Sequence, residues 1–176
     1  MQIKTENLRV LGKDSIIEIA NTILEKKYPV LKINMNDFII TAWSNKKSIL
    51  IKYRRIFKYV PLGKSENHFI YNFSIDIINE AIYPIDNNFL INSFYIPTQE
   101  ERMKIKFVKN TMEFDTTYHT TIYEKEGEYQ ISFTNYLISG TGIIDKTTGK
   151  STIMSGVHGP FEPVKEESGS LIEIRN

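Results

Sequence analysis

Apolar residues recur along this chain with two different periods, and each change of period marks an element. Ile16, Ala20, Ile23, Leu24 and Lys27 fall three or four positions apart, with Glu18, Asn21, Glu25 and Lys26 mostly off that stripe. That spacing predicts an amphipathic helix. Ser15 and Glu18 stand at the positions of a capping box, in which two side chains satisfy free amides at a helix start. Tyr28-Pro29 predicts its end, because the residue before a proline is pushed out of helical geometry. The residues before it, 1–13, read as an extended lead-in.

Beyond Leu31 the period becomes two. Residues 38–43 and 48–60 alternate as strands, with the polar "SNKK" as a turn. On the longer strand Ile49, Ile51, Tyr53, Phe57 and Tyr59 share one face, interrupted by Arg55, while Lys52, Arg54 and Lys58 take the other. "PLGKSEN" reads as a loop, and 68–73 as a third strand. Ile75, Ile78 and Ile82 have helical spacing, which predicts a short helix over 74–82. Residues 83–97 are irregular, rich in asparagine and proline. Thr98 and Glu101 form a second capping box, but Met103, Ile105 and Phe107 then alternate with Lys104 and Lys106, so one helical turn running into a strand is expected. Strands follow at 118–125 and 128–137, joined by Glu126-Gly127, a good hairpin pair. Residues 142–145 and 151–154 flank "KTTGK" as another hairpin. A loop from Pro160 leads to a short final strand in "LIEI".

One helix followed by long antiparallel hairpins implies an α+β fold, the N-terminal helix packed on a curved, mainly antiparallel sheet. The ten tyrosines and ten phenylalanines favour sheet too, since they fit a pleated, half-buried surface. At 176 residues one domain over 1–176 suffices, with two halves, 1–83 and 98–176, around an irregular connector at 84–97. The stretches "TAWSNKKSILIKYRRIF" and "TIYEKEGEYQISFTNYL" share their alternation. That alternation is a property of strands in general and does not establish a duplication.

Charge changes this picture locally, not globally. A net charge of +1 gives no overall pull toward nucleic acid or membrane. The chain has no cysteine, which excludes disulfides and thiolate metal sites. That suits a reducing cytoplasm, as does the lack of a signal-like apolar stretch in the opening residues, although neither forbids an envelope location. No run of apolar residues is long enough to span a membrane as a helix. Between Phe38 and Ser65, however, there is no acid, while Lys46, Lys47, Lys52, Arg54, Arg55, Lys58 and Lys64 supply seven positive charges. Around the second hairpin the sign reverses: Glu113, Asp115, Glu124, Glu126 and Glu128 face only Lys125. Trp43, Lys52, Arg54, Arg55 and Lys58 are therefore the candidate binding residues.

Catalytic motifs fail on spacing. "DKTTGKST" carries the Gly-Lys-Ser end of a phosphate-binding loop, but Ile144 stands where that loop needs its first glycine. Its composition suits a hairpin turn instead. His68, His119 and His158 lie at no metal-ligand spacing, and Ser155 with His158 lacks a nucleophile elbow. Asp37, Asp76, Asp115 and Glu113 are candidate general acids or bases only because any carboxylate in a cleft is one. No cofactor, metal or catalytic residue is assigned.

The segments "IIEIANTILEKKYP", "NDFIITAWSNKKSILIKYRR" and "GIIDKTTGKSTI" resemble bacterial immunity proteins of the NTF2-like and cystatin-like group. The resemblance implies a curved sheet wrapping a helix, or a tandem of two cystatin-like units, and a protein that neutralises a toxin by binding it. The expected function is a non-catalytic protein-binding module with a protein partner. A small apolar ligand binder, or an acid/base enzyme with a pocket in the curved sheet, is the alternative. A single-stranded nucleic-acid binder is a third reading, which no known signature supports.

Overall fold

The computed structural model describes residues 7–8, 10–84, 93–114, 118–135, 137–157 and 171–175. It is an α+β protein with two sheets, each accompanied by a helix. The chain divides into two compact units: one holds the described residues up to Arg54, Ile70–Phe94 and the C-terminal strand, the other Arg55–Phe69 and the chain from Tyr95 through the last hairpin.

In the first unit, helix α1 (Lys13–Lys27) precedes strands β1 (Phe38–Ser44), β2 (Ile49–Arg55), β4 (Phe73–Asp76), β5 (Ala81–Tyr83) and β10 (Ile172–Glu173), in the sheet order β10-β1-β2-β4-β5. The helix ends at Tyr28 as its proline predicts, but it starts before Ser15. Gly12, with φ 77°, is the N-cap, and no side chain caps it. Ile16, Ala20 and Leu24 are buried against Ile49, Ile51, Ile75 and Ile82. Tyr53 stacks on Phe73 with ring centroids 4.2 Å apart, and Phe38 and Phe94 meet Phe73 edge-on. Each such ring contributes about 1.5–3 kcal/mol by burial. The Tyr53 hydroxyl donates to Asn21 Oδ1 at 2.6 Å, so the buried phenol is satisfied.

The second unit holds β3 (Phe57–Val60), helix α2 (Gln99–Met112), β6 (His119–Glu124), β7 (Glu128–Thr134), β8 (Ile138–Asp145) and β9 (Ser151–Val157), ordered β3-β6-β7-β8-β9 with β3 parallel to β6. Val108 and Met112 of α2 and Ile122, Ile131, Phe133 and Ile144 of the sheet are buried. The Met112 methyl lies over Gly142, where any Cβ would displace it. Four hairpins close on an Asn or Asp that accepts amide hydrogens from the turn: Asn45, Asp76, Asn135 and Asp145. This is the Asx-turn chemistry that selects those residues. Each helix is thus followed by a four-stranded antiparallel meander, β1-β2-β4-β5 after α1 and β6-β7-β8-β9 after α2.

Further expectations are corrected. The run 48–60 is two strands, β2 and β3, serving different sheets, with a bend at Ile56. Residues 74–82 are no helix: Ile75 and Ile82 are cross-strand neighbours in the β4–β5 hairpin, so their helical spacing is a hairpin register. The capping box at Thr98 is real, with Thr98 Oγ1 accepting from Glu101 N and Glu101 Oε2 from Thr98 N. It opens a full helix through Met112 and not one turn before a strand. Residues 68–73 form no strand of their own. The chain passes from a 3-10 turn (Glu66–His68) through a single bridge, Ile70 to Phe94, before β4 begins at Phe73. The described part of the expected extended lead-in is not extended: Asn7 and Leu8 are helical, Leu11 N–H donates to Leu8 O, and Lys13 already belongs to α1, while residues 1–6 and 9 and the loop at 160–170 lie outside the described residues.

Candidate functional site

Alternation along β2 and β4 decides what the first sheet shows on the face away from α1. Ile51, Tyr53, Phe73 and Ile75 point into the core, so Lys52, Arg54, Asn72 and Ser74 point out. The register places Lys52 opposite Ser74, and Ser74 opposite Tyr83. Lys52, Arg54, Asn72, Ser74, Tyr83 and Pro84 line a shallow depression of about 370 Å³. On β1 the Trp43 indole donates to Thr41 Oγ1 at 2.9 Å, and the Lys52 ammonium lies 5.2 Å from its ring centroid. None of these lining residues is acidic. An acid reaches this face at its margin, where Glu173 of β10 stands opposite Trp43. Burial lowers the Arg54 pKa from its ordinary value, and the guanidinium stays charged.

Of the five candidate binding residues, Trp43, Lys52 and Arg54 come together on this face. Arg55 and Lys58 do not. Arg55 is 4 % exposed; its guanidinium donates to the Tyr95 carbonyl at 2.9 Å and sits 5.2 Å from the Tyr95 ring centroid. Lys58 is on β3, paired with Glu66 at 3.4 Å, and Glu66 also accepts a hydrogen bond from Tyr123. The sequence reading does not single out Asn72, Ser74 or Tyr83: Ser74 falls in the stretch 74–82 that reads as helical, Asn72 at the end of the expected strand 68–73, and Tyr83 at the start of the irregular stretch 83–97. The alternation Tyr71, Phe73, Ile75 around Asn72 and Ser74 was the signal that could have found them.

A second charged constellation lies in the other unit, where the sequence offers only a surplus of acids. Glu124 accepts from Tyr59 (2.6 Å), Lys104 (2.9 Å) and Lys146 (3.1 Å). Burial opposes its ionisation, but these three donors outweigh that and hold its carboxyl at about 2. Hydrogen bonds to Glu100 and Glu124 push Lys104 up, and burial with the Glu124 bond pushes Tyr59 up. An acid–base catalyst needs a group that changes protonation near the working pH. Glu124 is shifted toward its ionised form, and Lys104 and Tyr59 toward their protonated forms, so these three are displaced from neutral titration by the bonds that join them.

The remaining candidates have structural roles or lie elsewhere. Asp76 is buried, its oxygens taken by Ser48, Ile78, Asn79 and the Asn79 amide. Glu113 is the left-handed C-cap of α2, and Asp37 belongs to a 3-10 turn (Met35–Asp37). The Asp145–Gly149 segment is a hairpin turn, with Gly149 N–H donating to Asp145 O. Asp115 and His158 fall outside the described residues, among which no group of His, Asp or Glu could hold a metal ion and no helix is long and apolar enough to cross a membrane. A groove of about 620 Å³ runs along α1, lined by Ile19, Thr22, Ile23, Lys26, Lys27, Asn79 and Glu80. Comparison with models of known families, with curated proteins and with solved structures gave no match to this chain.

Proposed function

We propose that this protein is a non-catalytic protein-binding module whose contact surface is the outward face of the first sheet. The observation that carries this reading is the juxtaposition of Lys52, Arg54, Trp43 and Tyr83 around a depression with no acidic lining residue. Cations beside aromatic rings suit a partner that presents carboxylates: the rings supply area, the charges steer encounter and fix register. The order of helix and meander in each unit supports a tandem of two cystatin-like units, and with it the reading as an immunity protein that neutralises a toxin by binding.

The test is a pull-down from the native host at low salt, followed by affinity measurement with the double variant Lys52→Glu, Arg54→Glu. Affinity should fall at least tenfold, chiefly through slower association, with the melting temperature unchanged. Lys58→Glu should leave affinity unchanged, since Lys58 belongs to a different sheet. Recovery of no protein partner, or unchanged affinity in the double variant, overturns the proposal. Saturable binding of single-stranded nucleic acid that weakens steeply with salt would favour that reading of the same face instead.

A second reading, a small apolar ligand binder, draws on the α1 groove, whose volume lies in the range of ligand sites. Ile19 and Ile23 are its apolar lining residues. An Ile23→Trp variant that loses binding of an apolar fluorescent probe, with its fold intact, would support it.

A further inference from the structure

Sheet edges are ordinarily short, charged or covered, because an open edge invites another strand. Among the described residues, three edges follow that rule. β10 has two residues, β5 three, and β3 four with Lys58 among them. β9 does not. It is seven residues long, "STIMSGV", carries no charge, and every one of its residues is exposed. Among the described residues it pairs only with β8. Ile153 is 47 %, Met154 72 % and Val157 81 % exposed, so apolar side chains flank this edge on both faces of the sheet.

The backbone pattern shows which groups the edge offers. Asp145 N–H donates to Lys150 O at 3.0 Å, so the 145–150 pair is a hydrogen-bonded one. Paired residues alternate between bonded and non-bonded along an antiparallel ladder. In the β8–β9 register, Thr152, Met154 and Gly156 therefore spend their backbone groups on β8, and Ser151, Ile153, Ser155 and Val157 turn theirs outward.

We propose that β9 pairs antiparallel with β9 of a second copy of this chain, joining two five-stranded sheets into one across a twofold axis. A twofold axis normal to the sheet opposes residues of like parity, and the four outward-facing residues share one parity. About Met154, Ile153 of one copy exchanges both backbone bonds with Ser155 of the other, and Ser151 with Val157. A second copy supplies a strand of the same length and matching parity under that axis. Because the strand is uncharged, self-pairing sets no like charges opposite one another, the usual device against such contacts. The pairing also covers Ile153, Met154 and Val157. It is independent of the basic face of the first sheet.

The experiment is sedimentation velocity of the full chain across a dilution series, with amide hydrogen exchange read at the same concentrations. A dimer of the 20.5 kDa chain should form reversibly, and the Ile153 and Ser155 amides should lose protection on dilution while Met154 keeps it. Ser155→Pro removes an outward N–H that β8 does not use, a place where a strand tolerates proline. With two donors lost per dimer, association should weaken about tenfold or more at an unchanged melting temperature. Ile153→Lys, at a half-exposed position, should do the same and decides the matter if the proline variant fails to fold. A chain that stays monomeric at every concentration overturns the proposal. So does a dimer that survives both variants, or a wild type in which Ile153 and Ser155 exchange equally fast when dimeric.

Discussion

The first sheet buries Ile49, Ile51, Tyr53, Phe73, Ile75 and Ile82 against α1, and Lys52 lies over the Trp43 indole on its outward face. The second sheet buries Ile122, Ile131, Phe133 and Ile144, yet keeps Glu124 beside Lys104 of α2 and Lys146 of the β8–β9 turn. Both units place one helix with one antiparallel meander, but they use their lysines differently. In the second unit, Lys104 and Lys146 are both fixed by the Glu124 carboxylate. In the first, Lys52 is held by an aromatic ring, which orients an ammonium without neutralising it. Lysines that look alike in sequence are therefore held by a carboxylate in one unit and, at Lys52, by an indole in the other.

The largest expected effect breaks the apolar side of that contrast. Leu24→Asp places an unpaired carboxylate at a position 2 % exposed in the first core, and should cost about 4 kcal/mol or more in urea denaturation. A midpoint near wild type would show that α1 does not bury this face.

Next comes the charged side. Glu124→Ala leaves Lys104 and Lys146 without their shared acceptor and should cost about 2–3 kcal/mol, below the range for a fully buried pair because both lysines are partly exposed. The same group sets a pH dependence. Its carboxyl, at about 2 against an ordinary 4.5, stabilises the fold fully above 4.5 and loses that contribution as pH falls toward 2. The loss amounts to at most about 3 kcal/mol. Glu124→Gln should flatten the wild-type decline between about pH 5 and pH 2 by that amount; identical acid profiles would remove Glu124 from the explanation.

A smaller effect tests where the first core ends. Ile23 is expected from its spacing on the buried stripe, but it is only partly buried and lines the α1 groove. Ile23→Asp should therefore cost about 1–2 kcal/mol, clearly less than Leu24→Asp. Equal losses would place the groove inside the core.

The smallest effect separates two lysines around one turn. Lys146→Ala should cost about 1 kcal/mol through its bond to Glu124, while exposed Lys150→Ala should stay within about 0.5 kcal/mol. Saturable ATP binding that vanishes in Lys150→Ala would contradict the turn assignment.

Several elements are legible in the chain because their signals are local. The Tyr28-Pro29 stop, the Thr98–Glu101 cap, the Glu126-Gly127 turn and the Asp145–Gly149 turn act within a few residues, and the structure contains each. The split at Ile56 left a faint local mark. Arg55 sits in the apolar row and apolar Ile56 in the charged row, so the alternation inverts where the chain changes sheets. Half the candidate site was readable in the same way: Trp43, Lys52 and Arg54 follow from strand parity, whereas Ser74 depended on assigning 74–82 correctly, and Asn72 and Tyr83 on knowing which strands lie beside β2 and β4.

By itself the sequence determined the α+β class, the antiparallel hairpins, the turn residues and the absence of cysteine chemistry, because propensity, capping and period are properties of neighbouring residues. Only the tertiary structure decided whether 99–112 is helix, which sheet each part of 48–60 joins, and that Ile75 and Ile82 meet across a hairpin. It also decided that Glu124 gathers Tyr59, Lys104 and Lys146 from elements far apart in the chain. Period two is the same in every sheet, and a charge carries no record of its partner. Both are settled by long-range packing, where the cost of an unsatisfied buried group selects one arrangement.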